Sequence, residues 1–169
     1  MLKIKFIKKT SNYDSLRTGV TFGLTSAIIT TLGLMVGLNS STNSKLVVLG
    51  GILTIAIADA FSDALGIHIS EESENQHTPK DVWLSTIFTF LAKFLFALTF
   101  VVPVLLLPIS TAVIASIVWG LTILSLLSYK IATIQKEKPF NVIGEHLLIA
   151  FLVIIITNYV GLGINHYFN

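Results

Sequence analysis

Hydrophobic positions run in five long segments along the chain, and short polar stretches separate them. Each segment approaches the roughly 20 residues that a helix needs to cross the hydrocarbon of a bilayer. Pro108 stands between the third and fourth segments, where a tight turn is favoured over one very long helix. The pattern predicts five transmembrane helices at about Leu16–Leu38, Leu46–Ile69, Val82–Leu107, Ser110–Tyr129 and Val142–Tyr167.

The composition is that of an all-α integral membrane protein. Hydrophobic residues make up 53% of the 169 residues and charged residues only 12%, against roughly 25% charged residues in soluble domains. We predict a single five-helix membrane domain over residues 1–169, with a basic N-terminal segment (1–15) and a short acidic loop (70–81). The lipid bilayer is its expected partner. The absence of cysteine excludes disulfides and thiolate metal sites.

The sequence lacks the motifs of catalysis, cofactor binding and nucleic-acid recognition. It has no glycine-rich phosphate loop and no nucleophile elbow, and the Glu145-His146 pair belongs to no zinc-protease motif. We therefore expect no enzyme activity, no bound cofactor and no nucleic-acid partner. A membrane-embedded hydrolase that uses Glu145 and His146 is the weakest hypothesis considered.

Lysine and arginine are unevenly divided between the two sides of the predicted bundle. On the opposite side to the N-terminus there is only Lys45. Because cytoplasmic loops carry an excess of lysine and arginine, we predict a cytoplasmic N-terminus and a C-terminus on the outer side. The expected location is the cell membrane. The basic residues of the N-terminal side are Lys3, Lys5, Lys8, Lys9, Arg17, Lys80, Lys130, Lys136 and Lys138.

The first segment carries a stripe of small residues at alternating spacings of four and three: Gly19, Gly23, Ser26, Thr30, Gly33 and Gly37. Such a stripe lies on one face of a helix and lets two helix backbones approach closely in lipid. Its simplest interpretation is a packing seam. Ser26 and Thr30, in its middle, could also offer oxygen ligands to a passing ion.

Two carboxylates lie within the second segment. Asp59 and Asp63 are one helical turn apart and therefore share a face. Counted from the cytoplasmic end at about 1.5 Å per residue, Asp59 lies roughly 15 Å deep. An acid inside a transmembrane helix costs about 2.5–3.5 kcal/mol on insertion scales, so two of them require an explanation. The hypothesis is that they line a path for a cation.

Lys93 of the third segment falls at a similar depth. Charges within a membrane usually pair, so a structural Asp59–Lys93 ion pair is the alternative to a cation site. In either case we expect Asp63 to be left without a basic partner, free to exchange a proton for a metal ion.

The polar stretch after the second segment is rich in acids and imidazoles. Glu71, Glu72 and Glu74 follow His68 within one short stretch, and these ligand types suit divalent Fe, Mn or Zn. The spacing matches no defined metal motif. Capture of cations at the inner mouth and a simply solvated loop both remain open.

Two motifs resemble the vacuolar iron transporter family. Residues 22–37, FGLTSAIITTLGLMVG, are similar to that family's first-helix pattern FGxxDGxxTxLGLVxG. Residues 58–70, ADAFSDALGIHIS, are similar to its second-helix pattern AGALSMAxGEYxS. The five-segment layout agrees as well.

The resemblance implies a proton-coupled transporter that moves ferrous iron or manganese out of the cytosol, as a homodimer with its path between the subunits. The match departs from the family at ligand positions: Ser26 replaces an acid, Asp63 a methionine and Ile67 a glutamate. The long metal-binding insert that some members carry between the second and third helices is also missing.

Two functions follow. In the first, a divalent-cation transporter, Asp59 and Asp63 bind the ion, Ser26 and Thr30 add neutral oxygens, and the acidic loop with His68 attracts cations. In the second, a non-transporting membrane subunit, Asp59 and Lys93 form a structural pair and the glycine stripe mediates assembly.

Overall fold

The computed structural model describes residues 12–168, and over this range it is helical with short connections. The prediction of a basic segment at 1–15 lies mostly outside the described residues. The six helices are α1 (Asn12–Thr42), α2 (Lys45–Ser73), α3 (Pro79–Thr99), α4 (Val101–Leu106), α5 (Ile109–Gln135) and α6 (Pro139–Phe168).

The predicted all-α architecture with five membrane spans is confirmed. Five stretches are long and apolar enough to cross a membrane, the third being α3 and α4 together, from Pro79 to Leu106. The turn predicted at Pro108 separates α4 from α5. Capping residues fix two other boundaries: the Ser44 side chain accepts from the Val47 N–H, and Thr78 forms a reciprocal capping box with Asp81.

The loop predicted at residues 70–81 is shorter in the structure. Helix α2 continues to Ser73 and α3 begins at Pro79, so Glu71 and Glu72 are helical residues of α2. The capping box at Thr78 explains the early start of α3, because it satisfies backbone N–H groups that a loop would have left to water.

Helix α1 lies at the centre of the bundle and packs against α2, α3, α5 and α6. We call the end where α1, α3 and α6 begin the proximal end, and the opposite one the distal end. Close to the proximal end, a Cβ on Gly19 or Gly23 would come within 2.6 Å of a backbone oxygen of α3. Close to the distal end, a Cβ on Gly161 would collide with the Gly37 carbonyl of α1.

The small-residue stripe of α1 is thus a packing seam within one chain, divided between two neighbours. Its first half lies against α3, and its glycines at 33 and 37 lie against Val153 and Thr157 of α6. Because contacts advance in the same direction on both helices, α1 runs parallel to α3 and to α6. This close packing places α1 side chains next to buried positions of α3.

The cluster of large apolar residues and the buried polar series of α3 lie in different halves of the bundle. The apolar core contains Ile28, Leu32, Met35, Ile52 and Phe100, towards the distal end. Buried polar residues of α3 occur towards the proximal end, every fourth residue: Asp81, Ser85, Thr89 and Lys93. The functional candidates lie where these two regions meet.

Candidate functional site

The ammonium of Lys93 is the centre of the candidate site. Its Nζ lies 2.6 Å from Asp59 Oδ2 and 2.5 Å from Asp63 Oδ2. It also donates to Ser26 Oγ at 2.8 Å. An ammonium has three N–H donors, so these three oxygens can accept all of its hydrogens. We call these four residues the Lys93 cluster.

The structure corrects the expectation that Asp63 has no basic partner. Asp59 and Asp63 are four residues apart, and both side chains therefore reach α3 from the same face of α2. Lys93 pairs with the two carboxylates together, because one ammonium can serve more than one acceptor. Two carboxylates and one ammonium leave the cluster with a formal charge of −1.

The members of the cluster differ in exposure. The Lys93 side chain is 2% exposed, whereas those of Asp59 and Asp63 are 30% and 19% exposed. A charge this deeply buried requires compensation, which the carboxylates supply. The side of the cluster that the two carboxylates form is partly exposed, so this chain does not enclose the cluster completely.

Glycine makes the contact between α1 and the cluster possible. A Cβ at Gly23 would lie 2.6 Å from the Thr89 carbonyl oxygen and 3.1 Å from the Lys93 amide nitrogen. Since such distances are shorter than van der Waals contact, only glycine allows α1 to approach α3 this closely at residue 23. Ser26, one turn further, then reaches Lys93.

Thr30 has a different role from Ser26. Its hydroxyl donates to the Ser26 carbonyl within α1 at 2.9 Å. Its hydroxyl is not hydrogen-bonded to the side chains of the Lys93 cluster. Thr30 therefore completes the hydrogen bonding of its own helix, as threonine commonly does in membrane helices.

The remaining predicted ligands lie at the proximal end of α2. His68 Nδ1 lies 3.0 Å from Thr86 Oγ1, and the imidazole packs edge-on against Trp83. Glu71 is buried and its carboxylate accepts from the Ser85 hydroxyl. Glu72 is exposed, and Glu74 lies 3.4 Å from the His77 ring.

The predicted metal ligands do not form one compact site. Within residues 12–168, no three His, Asp or Glu side chains come together in a group that could hold a metal ion. Asp59 and Asp63 contact Lys93 from the middle of α2, whereas the glutamates at 71, 72 and 74 lie at the proximal end of that helix. Of the predicted residues, the structure brings together Ser26, Asp59 and Asp63.

Sequence reasoning missed the buried polar series of α3. Thr89 donates to the Ser85 carbonyl, and Ser85 faces Glu71 across the α2–α3 interface. The spacing of four between Asp81, Ser85, Thr89 and Lys93 is readable in the sequence and places them on one helix face. That spacing was the signal that could have found them.

One face of α2 has no neighbour among residues 12–168. Its small residues recur every fourth position and are exposed: Gly50, Thr54, Ala58, Ser62, Gly66 and Ser70. A Cβ at Gly50 or Gly66 would meet no atom within 4 Å. Asp59, the more exposed of the two aspartates, directly follows Ala58 on this helix.

The Glu145-His146 pair lies far along the chain from the cluster, on α6. His146 Nδ1 lies 2.7 Å from the buried Ser128 hydroxyl, which also bonds the Leu124 carbonyl, and Glu145 is exposed. A groove of about 790 Å³ at the proximal end borders both residues. Nothing in these contacts activates a nucleophile, because the Ser128 hydroxyl has an acceptor in its own helix.

Comparison with known proteins matches residues 17–83 to the family described as the VIT family. The matched range includes nearly all of α1, α2 up to its end and the start of α3, and hence Ser26, Asp59 and Asp63. A search of curated proteins returned no match. The matched helices support membership of the vacuolar iron transporter family, whose members move metal ions across membranes.

Proposed function

We propose that the protein transports a divalent metal cation, Fe²⁺ or Mn²⁺, out of the cytosol in exchange for protons. The observation that carries this proposal is the partial exposure of Asp59 and Asp63 in the middle of a membrane helix. Carboxylates used only to neutralise a buried lysine could be enclosed with it. The protein would lie in the cell membrane with its N-terminus in the cytoplasm.

The oxygen ligands of the cluster support the choice of cation. Asp59 and Asp63 supply carboxylates, and Ser26 supplies a neutral hydroxyl. Carboxylate and hydroxyl oxygens suit hard cations such as Mn²⁺, Mg²⁺ and Ca²⁺, and accept Fe²⁺. Asp63 stands where the family pattern has a methionine, so the softer thioether ligand is replaced by a harder one.

The free face of α2 supports a homodimer as part of this proposal. Small residues at every fourth position allow two membrane helices to approach closely, and this face has no neighbour within the described part of the chain. Two copies joined there would bring both Asp59 side chains towards a common interface. The path for the cation would then lie between the subunits, with protons returning on the same carboxylates.

The alternative is a non-transporting membrane subunit. The observation in its favour is the completeness of the Lys93 pairing, since all three ammonium hydrogens have acceptors and the side chain is buried. Intramembrane charges frequently serve only to pair helices. In that case the cluster joins α1, α2 and α3 and carries no ion.

Reconstitution separates these two functions. We would measure Mn²⁺ entry into proteoliposomes loaded with a quenchable dye, with and without a pH gradient, for the unmodified protein, Asp63→Asn and Asp59→Asn. Glu145→Gln, the same chemical change at an exposed acid of α6, is the matched control. The transporter proposal expects flux that depends on both aspartates and is unchanged by the control.

A charge exchange tests the alternative. Asp59→Lys combined with Lys93→Asp keeps an ion pair between α2 and α3 but rearranges the oxygens around the cation position. If the exchanged protein folds and assembles like the original, the Asp59–Lys93 pair is structural. If it also transports Mn²⁺ like the original, Asp59 is no ligand and the protein is still a transporter. Absence of Mn²⁺ flux in every preparation of folded protein would reject the transporter proposal itself.

A further inference from the structure

We infer that the Lys93 ammonium occupies the cation site in the cation-free protein. It binds the oxygens of that site and must move away before a divalent ion can bind there. This inference rests on the proposed transport function. The inference gives Lys93 a regulatory role in that transport. Lys93 lies on α3, outside the residues 17–83 that match the family, so the family motifs of α1 and α2 do not include it.

The geometry around Nζ resembles that around a bound cation. Three oxygens from two different helices converge on it at 2.5 to 2.8 Å. A divalent ion would use the same oxygens, at roughly 2.0–2.6 Å. The ion and the ammonium cannot share this position, because they would overlap and because two positive charges in contact repel strongly away from water.

The surroundings allow the ammonium to be exchanged. Lysine carries a compact charge on a flexible four-carbon stem, unlike the planar fork of arginine. Asp59, one of its acceptors, is 30% exposed, so the chain leaves uncovered the side of the pair to which the proposed path would bring water and cations. Ser26 offers a neutral oxygen, which binds either cation at little electrostatic cost.

Because the Lys93 ammonium competes for the same oxygens, it lowers the apparent affinity of the site for a divalent cation. The ammonium is held beside its acceptors by the chain itself, which gives it a high effective concentration. Removing it opens the position and also changes the formal charge of the cluster from −1 to −2. Both effects should tighten the binding of a divalent cation.

The test uses the full-length protein in lipid nanodiscs with Mn²⁺ as the probe. Free Mn²⁺ is titrated by electron paramagnetic resonance, and thermal unfolding is followed with and without Mn²⁺. Lys93→Met removes the charge while keeping an unbranched side chain, and Lys93→Gln keeps hydrogen-bond donors without charge. We expect at least a tenfold lower apparent Kd for both variants than for the unmodified protein.

A triple variant shows whether the gain arises at the cluster. Adding Asp59→Asn and Asp63→Asn to Lys93→Met should abolish the tighter binding and the Mn²⁺-dependent rise in Tm. Unchanged or weaker Mn²⁺ binding in both lysine variants would overturn the inference while leaving transport by the unmodified protein intact. Failure of both variants to fold even in Mn²⁺ would overturn it too, because the ammonium would then be indispensable rather than exchangeable.

The two failures remain distinguishable. Proteoliposomes of the unmodified protein that show no Mn²⁺ flux reject the proposed function, whatever the lysine variants bind. Flux in the unmodified protein together with unaltered binding in Lys93→Met and Lys93→Gln rejects the occupant inference alone.

Discussion

The Nζ atom of Lys93 on α3 lies 2.5 Å from the carboxylate of Asp63 on α2. Because the same ammonium also reaches Ser26 on α1, this one contact belongs to a joint between three helices. The residues proposed to bind a cation therefore also hold the bundle together. Each test has to separate an effect on stability from an effect on transport.

We predict that Ser26→Ala lowers stability moderately. The substitution leaves one hydrogen of a buried ammonium without its acceptor, which costs about 1–3 kcal/mol. The measurement is thermal unfolding of the purified protein in detergent, followed by tryptophan fluorescence. Ser125→Ala is the control, because the Ser125 hydroxyl donates to the Leu121 carbonyl of its own helix. Equal losses in both variants would show that Ser26 contributes nothing through Lys93.

We predict that Gly23→Ala separates α1 from α3. The new Cβ would lie 2.6 Å from the Thr89 carbonyl oxygen, so the helices must move apart at a cost of about 1–3 kcal/mol. The same movement should weaken the Ser26–Lys93 hydrogen bond. Gly163→Ala is the matched control, since nothing lies within 4 Å of its added Cβ. A lower Tm is expected for the first variant only, and unchanged stability would contradict the close approach.

The sequence was sufficient to predict the spans, because a continuous apolar run of about 20 residues has few folded alternatives in lipid. It also placed Lys93 at the depth of Asp59. It could not decide the partner of Asp63. That depends on the rotation of α2 about its axis, and a helix with small and apolar residues on several faces does not reveal its buried face.

The acids at the end of α2 show a second limit. Glu71 and Glu72 are adjacent and chemically alike, yet Glu71 is buried against Ser85 and Glu72 is exposed. The difference arises because α2 remains helical past Ser70, so successive side chains point about 100° apart. Hydropathy predicted the end of the apolar segment near Ile69, whereas the helix itself continues to Ser73.

We predict that Gly66→Leu impairs association without unfolding the monomer. The new side chain projects from the free face of α2, where a Cβ meets nothing within 4 Å, so one chain can accommodate it. A bulky residue on a small-residue face prevents a second helix from approaching closely. Single-molecule photobleaching in nanodiscs counts the subunits, and Gly163→Leu is the control. Intact dimers in Gly66→Leu would place the interface on another face.

We predict that the exposed acids attract cations without binding them tightly. Neutralising Glu72 and Glu74 together (Glu72→Gln, Glu74→Gln) should raise the apparent KM for Mn²⁺ about twofold at low ionic strength, because long-range attraction is lost. At high salt the difference should disappear, since screening removes that attraction in both proteins. A rise in KM that persists at high salt would indicate direct ligation instead.

The two aspartates should substitute for each other in holding Lys93. After Asp59→Asn or Asp63→Asn alone, one carboxylate still compensates the ammonium and the new amide oxygen can still accept from it, so we expect a loss of only about 0.5–1.5 kcal/mol in each case. Because Asp63 is the more buried of the two, Asp63→Asn should lower the free energy of unfolding more than Asp59→Asn does. In the double variant the buried ammonium has no carboxylate at all, which typically costs about 3–5 kcal/mol.

The double-mutant cycle therefore gives a larger loss than the sum of its single variants. Thermal unfolding of the four proteins measures this coupling, and Lys93→Met in the double background supplies the control. With the ammonium gone, a neutral cluster no longer needs carboxylates, so this triple variant should recover much of the stability lost by the double variant. Strictly additive losses without such recovery would mean that Lys93 does not depend on the two aspartates for its charge compensation.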